Sequence, residues 1–392
     1  MDSSFVSGTA PAPSEGVLEP STMLSGSSAV GLSREHVKFG CAPDQKGSNR
    51  RRRYRRRRRA GELARFVERT TGFKPSWGRI RNCGVPIGAQ VSIKEHEGKC
   101  YPSGIAQCAS VWSCAVCSAK IRTRREVELE VACNAHVASG GSLAMLTFTL
   151  RHNRSMSLFE VLGALLRSYR RLRNRKAWKA VRCLLVGVVR ALEVTIGENG
   201  WHPHLHLLLF VRSEVERHNL ESLLGEVITE WRAIVGEDLG VLPSVERAVD
   251  LTWFGNDAVS AASYVSKIAK EISLADSKSG RDPFSLLDVQ DVGRDEAVAL
   301  WIEYANTMRG VQSVSWTKGL RDLFNLGEYK FDEDFVQDED QLDVVVQVVS
   351  RDEWKQLWRS GRECDLLEEI EGRLRAQKFF DCDEWGEVIV RE

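Results

Sequence analysis

Ten residues from Trp201 to Phe210, with the sequence WHPHLHLLLF, constrain the fold more than any other stretch of the chain. Histidine alternates there with apolar side chains, and a period of two over a short apolar stretch predicts a β-strand. His204 and His206 then share one face of the strand, because side chains two residues apart point the same way. His202, before Pro203, is expected at the mouth of the strand, since proline cannot donate to a ladder.

The two histidines on this face need polar partners, because burying an imidazole unpaired costs about 1–3 kcal/mol. A divalent metal ion bound by His204 and His206 satisfies both rings, and we favour it. The alternative is a pair of histidines that hydrogen-bond within a core or line a cleft. The preceding stretch, 183–196, reads as a strand that turns back as a hairpin. That hairpin brings Glu193 or Thr195 beside the histidines, depending on the register.

Composition places the chain among soluble globular proteins, since 43% of its residues are apolar and 28% are charged. A length of 392 residues suffices for two or three domains. No apolar run approaches the roughly 18 residues of a membrane span, and the first residues lack the pattern of a secretory signal. We therefore expect a cytoplasmic protein without a membrane partner.

Charge is segregated, although the net charge is only +1. Positions 50–59 hold nine arginines around Tyr54, whereas positions 328–343 hold eight acidic residues against Lys330 alone. The arginine run predicts an accessory arm that binds nucleic-acid phosphates, and the alternative is a solvated coil that binds any polyanion. The arginines predicted to contact DNA, in this run and in a helix predicted over 122–138, are Arg51, Arg52, Arg53, Arg55, Arg56, Arg57, Arg122, Arg124 and Arg125.

Five of the ten cysteines lie between positions 83 and 117. Without a signal peptide, such clustering indicates metal ligation rather than disulfides. The segment CASVWSCAVC ends in a C-x2-C pair, which suits two corners of a tetrahedral zinc. The predicted ligands of a structural Zn²⁺ are Cys83, Cys108, Cys114 and Cys117, with Cys100 and His96 as substitutes. The alternative is a set of free cytosolic thiols.

A tyrosine and two lysines fall on one predicted helix, 257–273, downstream of the histidine strand. Tyr264 lies off the apolar stripe of that helix, and Lys267 is its neighbour at i+3. Lys270, one turn further, is a further predicted DNA contact. A phenol is a poor nucleophile at neutral pH because its pKa is about 10. A nearby cation and a metal-activated phosphate both help, so the combination indicates attack of Tyr264 on a phosphodiester. Taken alone, the tyrosine is typical of an exposed helix position.

Three motifs in order resemble those of the HUH endonucleases. HPHLHLLL resembles the histidine–hydrophobic–histidine motif of rolling-circle replication initiators and relaxases, Tyr264-Val-Ser-Lys267 resembles their tyrosine motif, and LTFTL at 146–150 resembles their first motif. CxSVWxCxVCxxKI upstream and SWTKGLRDLF downstream are similar to plasmid Rep proteins of actinobacteria. The resemblance covers residues 80–327.

The resemblance implies a single-tyrosine plasmid replication initiator in the bacterial cytoplasm. Tyr264 would take the 5′ phosphate at a nick in the double-strand origin and leave a 3′ hydroxyl as primer, with Lys267 as its phosphate partner. A later strand transfer would end the cycle. The implied partners are origin DNA, single-stranded at the nick, and a host helicase and polymerase. Some relatives carry a glutamate one turn before the tyrosine, where this chain has Ser260, so the group that supports termination is open.

The resemblance also implies a metal site, a fold and a domain order. His204 and His206 would hold Mg²⁺ or Mn²⁺, with Glu193 as the best third ligand and His202 next. The implied fold is α+β, with a central antiparallel sheet of about five strands and helices on one side, of the ferredoxin-like kind. The expected domains are a disordered arm with the arginine run (1–60), a cysteine-rich zinc and DNA-binding module (61–140), the HUH endonuclease domain (141–327), and an acidic linker with a small C-terminal unit (328–392).

Two other functions remain open at this point. A transposase or conjugative relaxase would use the same chemistry on different DNA, although relaxases usually place the tyrosine before the histidines. A zinc-containing DNA-binding protein with a histidine-lined structural cleft would bind DNA without cleaving it. Histidine-to-alanine and tyrosine-to-phenylalanine variants separate these functions.

Overall fold

The computed structural model describes residues 49–257, 281–288, 294–337 and 343–380. Within these ranges the chain is a mixed α+β protein with antiparallel sheets of five and three strands, which confirms the predicted class. The strands are β1 Gln90–His96, β2 Lys99–Ser103, β3 Ser142–Phe148, β4 Leu185–Gly197, β5 Gly200–Val211, β6 Val249–Gly255, β7 Val314–Trp316 and β8 Val344–Ser350. The helices are α1 Asn49–Thr71, α2 Ala115–Ala138, α3 Leu158–Leu172, α4 Lys176–Cys183, α5 Arg217–Leu239, α6 Val245–Ala248, α7 Arg294–Thr307, α8 Leu320–Leu323, α9 Asp332–Gln337, α10 Arg351–Ser360 and α11 Glu363–Phe380.

The histidine strand is β5, and it lies at the centre of the five-stranded sheet, whose order is β6-β3-β5-β4-β7. β4 and β5 form the expected hairpin. Its turn requires Gly200, with a φ of 87°, because a Cβ there would lie 3.0 Å from the Cα of Arg154. The register sets Glu193 of β4 opposite His204, and it sets Thr147 of β3 opposite His206.

Alternation along β5 gives the sheet two different faces. Phe148, paired with Leu205, packs its ring 4.8 Å from that of Trp231 in α5 and 6.2 Å from that of Trp178 in α4. Helices α3, α4 and α5 therefore cover this face. On the opposite face, α2 packs over the far end of β5, against Leu208 and Phe210. The histidines lie on that second face, toward the hairpin end of the strand.

Local signals mark the ends of two helices. A capping box starts α3: the amide of Glu160 donates to the hydroxyl of Ser157, and the amide of Ser157 donates to the carboxylate of Glu160. Helices α10 and α11 are separate, because Gly361 has a φ of 73° and ends α10 in the left-handed conformation. No helix in the described ranges is both long and apolar enough to cross a membrane.

The second sheet joins the two ends of the described chain. Its order is β2-β1-β8, so the C-terminal strand β8 pairs with β1 of the cysteine-rich module, with Val91 opposite Val349. Trp354 of α10 is buried beneath this sheet. In the stretch expected to be an acidic linker, Phe335 and Val336 of α9 are also buried. Residues on either side of position 327 therefore share a core, in which Val91 packs with Val349.

Candidate active site and metal centre

His206 has a polar partner at each ring nitrogen. Its Nε2 lies 2.8 Å from a carboxylate oxygen of Glu193, and its Nδ1 lies 3.0 Å from the hydroxyl of Thr147. A carboxylate only accepts, so a neutral His206 donates from Nε2 to Glu193 and accepts the Thr147 hydroxyl at Nδ1. The side chain is 7% exposed. The structure thus brings together one of the predicted histidine ligands and the predicted third ligand.

The other two histidines of β5 continue this row. The ring of His204 lies parallel to that of His206, with centroids 5.9 Å apart, and the ring of His202 stacks on His204 at 4.2 Å. Burial lowers the pKa of His204 well below its usual range, and it lowers the pKa of His202 to about 4. Both rings are therefore neutral at pH 7, which is the form that offers a lone pair to a metal ion.

His152 is a fourth histidine at this site, and the sequence analysis missed it. Its ring is perpendicular to that of His202 at 4.4 Å, and its Nδ1 lies 3.3 Å from the carbonyl oxygen of Leu150. Its Nε2 is buried and has no hydrogen-bond partner within the described ranges. The sequence carries no local signal for it: His152 lies two residues after LTFTL at 146–150, and its place beside His202 depends on the pairing of β3 with β5.

The predicted histidine site is only partly assembled in the structure. In the described part of the chain, the four clustered cysteines have their ligand atoms within 4.8 Å of one another. The histidines and Glu193 do not form a group of three or more ligand atoms that close together. The predicted nucleophile and its lysines, Tyr264, Lys267 and Lys270, lie outside the described residues, as does Ser260. The description ends at Asp257 after β6 and begins again at Arg281.

The four predicted zinc ligands come together in a buried cluster. The Sγ of Cys83 lies 3.8 Å from that of Cys114 and 3.7 Å from that of Cys117, and Cys108 lies 3.8 Å from Cys117. Four sulfurs about 2.3 Å from a tetrahedral zinc stand about 3.8 Å apart, so these spacings fit zinc. Hydrogen bonds from the three neighbouring thiols lower the pKa of Cys83. The cluster could therefore hold a metal such as zinc.

The two substitute ligands lie elsewhere. Cys100 belongs to the core beneath the three-stranded sheet, and His96 has its Nδ1 3.4 Å from a carboxylate oxygen of Asp343. The choice of four cysteines among the five is therefore confirmed as a spatial group.

The arginine run is a folded helix, so the expectation of an unfolded arm is wrong for residues 49–60. Arg56 donates to Asp282 at 3.0 Å and to Asp288 at 2.6 Å. Arg51 contacts Asp365 and Glu368 of α11. Two further ion pairs of predicted DNA-binding arginines in this helix are Arg55–Asp288 and Arg57–Glu363. Carboxylates from distant segments neutralise the run and fix α1 in the fold, so a phosphate would have to displace them.

The arginines of α2 are not displayed to solvent either. Arg122 and Arg125 are 7% and 3% exposed. Arg125 bonds the carbonyl of Lys330 at 2.7 Å and the hydroxyl of Tyr329 at 3.1 Å, and Arg124 is half-buried. The prediction that these side chains face DNA therefore has no support from their burial, and Arg125 instead fixes the segment that follows β7.

Comparison with known proteins finds a family model and relatives that match this chain. A family model for a replication protein, Rep_1, matches residues 106–222. A "Protein rep" of Streptomyces lividans is 27% identical over 312 residues, which cover 62% of this chain and 68% of the relative. A "Protein rep" of Lactiplantibacillus plantarum is 24% identical over 218 residues, covering 54% and 65%. A neomycin resistance protein of Streptomyces cyanogenus is 29% identical over 181 residues, covering 37% and 41%. No solved structure matches.

The matched range includes the features described above. It holds three of the four clustered cysteines, the strand with Glu193, and the histidine strand β5. Residues 106–222 therefore match a Rep_1 replication-protein domain, and the relatives named "Protein rep" support a plasmid Rep protein.

Proposed function

We propose that this protein initiates plasmid rolling-circle replication by nicking one strand of the double-strand origin. The observation that carries the proposal is the contact of Glu193 with His206 on neighbouring strands, beside two further neutral histidines. Such a row of nitrogen and oxygen donors on an otherwise apolar sheet can bind a metal ion that contacts a phosphate. The relatives named "Protein rep" support the replication role.

The donors at the histidine site fit a divalent cation. The proposed ligands are His204, His206, Glu193 and His202, and the ion is Mg²⁺ or Mn²⁺. When bound, the ion would polarise the scissile phosphate. With the ion at Nε2 of His206, the ring proton would lie on Nδ1 and be donated to the hydroxyl of Thr147. Thr147 would then orient the ring, which is the usual task of a group behind a metal ligand. The buried cysteine cluster would hold a separate, structural Zn²⁺.

The proposed reaction is a transesterification on DNA. The phenolic oxygen of Tyr264 bonds to phosphorus as the bond from phosphorus to the 3′ oxygen breaks. The phenol loses its proton, and the leaving oxygen takes one up to become a 3′ hydroxyl. A 5′-phosphotyrosyl link then stores the bond energy, with Lys267 neutralising a phosphate oxygen. In the later strand transfer, a 3′ hydroxyl attacks this link and releases the tyrosine.

The described ends of the tyrosine segment are tied to the sheet that carries the histidines. Arg281 exchanges two backbone hydrogen bonds with Ile196, at 2.7 and 3.0 Å, and Ile196 pairs with Trp201 at the start of β5. We further propose that residues 141–327 form the endonuclease domain, that 61–140 contribute DNA binding, and that the protein works in the cytoplasm with a host helicase and polymerase.

A covalent-adduct assay tests the proposal. Single-stranded fragments that tile the replicon, labelled at their 3′ ends, are incubated with Mn²⁺ or Mg²⁺ and separated on a denaturing gel. We expect a metal-dependent labelled band at protein mass with the unaltered protein and none with Tyr264→Phe. Tyr101→Phe, on the three-stranded sheet, is the matched control and should form the adduct.

Three other outcomes would contradict the proposal. A free cleavage product without an adduct would mean hydrolysis and a different nucleophile. An adduct with His206→Ala equal to that with the control His218→Ala, an exposed histidine of α5, would remove the histidine site from the reaction. DNA binding with no cleavage of any fragment would indicate the non-enzymatic DNA-binding protein.

A further inference from the structure

A cavity of about 520 Å³ lies where the cysteine-rich module meets an edge of the five-stranded sheet. The loop from Cys108 to Ser113 forms one wall, and the turn between α7 and β7 forms another. Residues 329–332 and 76–79 complete the lining. We call it the module groove. Its volume falls within the roughly 300–1,000 Å³ of pockets that hold small ligands, and none of the functions above uses it.

The lining combines aromatic rings with charge and hydrogen-bonding groups. Phe331 is 62% exposed, although phenylalanine normally buries its ring. Arg309 and Gln312 are exposed on the opposite rim. Trp77 is 5% exposed, and its indole N–H is buried with no hydrogen-bond partner in the described part of the chain.

The first wall of the groove is held rigid from behind. Its loop runs between two clustered cysteines, Cys108 and Cys114. Ala109 has a φ of 52°, a left-handed conformation that alanine rarely adopts and that the surrounding structure must enforce. The indole of Trp112 donates to the carbonyl of Val311 at 2.7 Å, which ties this wall to the turn before β7.

Arg125 holds the wall that carries the exposed phenylalanine. Its guanidinium lies 4.8 Å from the ring centroid of Tyr329 and bonds the carbonyl of Lys330. The rings of Tyr329 and Phe331 meet edge to face at 5.6 Å. The aromatic wall is therefore positioned before any ligand arrives, so little freedom is lost on binding.

The groove adjoins β4, the strand that carries Glu193. The carbonyl of Ser313, in its lining, accepts a hydrogen bond from the amide of Leu192 at 2.8 Å, and Leu192 precedes Glu193. β7 and β5 flank β4, so groove and histidines are separated by about two strand spacings, ~10 Å. A single DNA strand with its phosphate at the histidines could reach the groove within a few nucleotides.

We propose that the module groove binds an unpaired base of single-stranded DNA next to the nicking site. Unpaired bases are held by stacking on aromatic rings, with cations at the backbone and hydrogen bonds at the base edges, and the groove offers all three. Phe331 supplies the stacking surface, Arg309 contacts a flanking phosphate, and Gln312 contacts the base edge. The inference rests on the proposed function, because it takes DNA as the partner.

Binding of a fluorescein-labelled single-stranded 25-mer of mixed sequence, followed by anisotropy, tests the groove. All proteins carry Tyr264→Phe, so that binding is measured without cleavage. Stacking of a base on an aromatic ring contributes to binding affinity, so Phe331→Ala should lose about tenfold in affinity for the 25-mer. Phe159→Ala, which removes a phenylalanine that is 74% exposed on α3, is the matched control and should bind as the parent does. Thermal melting and bound zinc verify that each variant is folded.

Photo-crosslinking identifies the base contact directly. The same 25-mer with 5-iodouracil in place of thymine is irradiated, and cross-linked peptides are identified by mass spectrometry. We expect adducts on 108–113 or 329–332 that disappear with Phe331→Ala. Adducts confined to other segments, or equal affinity of Phe331→Ala and Phe159→Ala, would overturn the inference.

The two proposals fail in different ways. If Tyr264 forms the adduct while the groove variants bind DNA like the parent, the groove inference falls and the nicking function stands. If no fragment yields an adduct while Phe331→Ala still loses binding and cross-links, the nicking function falls and the groove remains a single-strand binding site.

Discussion

Replacing Arg57 by methionine should destabilise this protein far more than replacing other arginines of the same helix. The side chains of Arg57 and Glu363 are 3% and 2% exposed, and the guanidinium donates to the carboxylate. Burial raises the pKa of Glu363 even with Arg57 beside it. The carboxylate is therefore poorly solvated, and Arg57 is the group that most favours its charged form.

The expected magnitude follows from that burial. Removing one partner of a buried ion pair leaves the other charge uncompensated, at a cost of about 3–5 kcal/mol. Arg57→Met and Glu363→Gln should each lower the free energy of unfolding by about this amount. The double variant should cost less than the sum of the two, because it leaves neither charge alone in the interior.

Urea unfolding at pH 7, followed by far-UV circular dichroism, measures these changes. Arg52→Met is the control on the same helix, since Arg52 donates to the exposed side chain of Asn49. It should change stability by no more than about 0.5 kcal/mol. Equal losses of unfolding free energy for Arg57→Met and Arg52→Met would refute the reasoning. They would indicate that the arginines of this helix are solvated rather than paired in the interior.

Three further predictions concern other parts of the fold. Cys114→Ser or a strong chelator should remove bound zinc, measured by mass spectrometry, and unfold the cysteine-rich module, because structural zinc supplies about 10–16 kcal/mol in small zinc domains. Gly141→Ala should lower the free energy of unfolding by about 1–3 kcal/mol, because the added Cβ would lie 2.3 Å from Nε2 of His136. Gly225→Ala in α5 is the control: its Cβ would have no atom within 4 Å, so it should raise the melting temperature. Burial lowers the pKa of His136 in the folded protein, so its contribution to stability is complete above pH 6.5 and declines as the pH falls toward the folded-state pKa. Urea titrations should therefore show a free energy of unfolding that depends less on pH in His136→Gln than in the unaltered protein.

Local patterns were sufficient to predict the histidine strand and the cysteine cluster. Alternation from His202 to Leu209 predicts a strand, and a strand with apolar residues on both faces belongs in the middle of a sheet, where β5 lies. The C-x2-C pair marks two zinc ligands because its spacing suits one turn at the start of a helix, and α2 begins directly after Cys114. Both features depend on neighbours a few residues away.

The arginine helix and the second sheet could not be predicted in this way. An arginine run has no apolar periodicity, and the carboxylates that make Arg56 and Arg51 part of a folded helix lie 226 to 317 positions away. Pairing of β8 with β1 spans a similar separation. His152 was missed because a single histidine after a strand carries no signal until the strands are paired.

The separation between Arg57 and Glu363 has a consequence for the synthesis of the protein. The two residues are 306 positions apart. At about 5–20 residues per second, the arginine helix leaves the ribosome roughly 15–60 s before its main carboxylate partners exist. During that interval it is an uncompensated polycation in the presence of ribosomal and messenger RNA. A messenger truncated before the last helices would therefore yield a product that binds nucleic acid without selectivity. The carboxylates of those helices are needed to pair the arginines of α1.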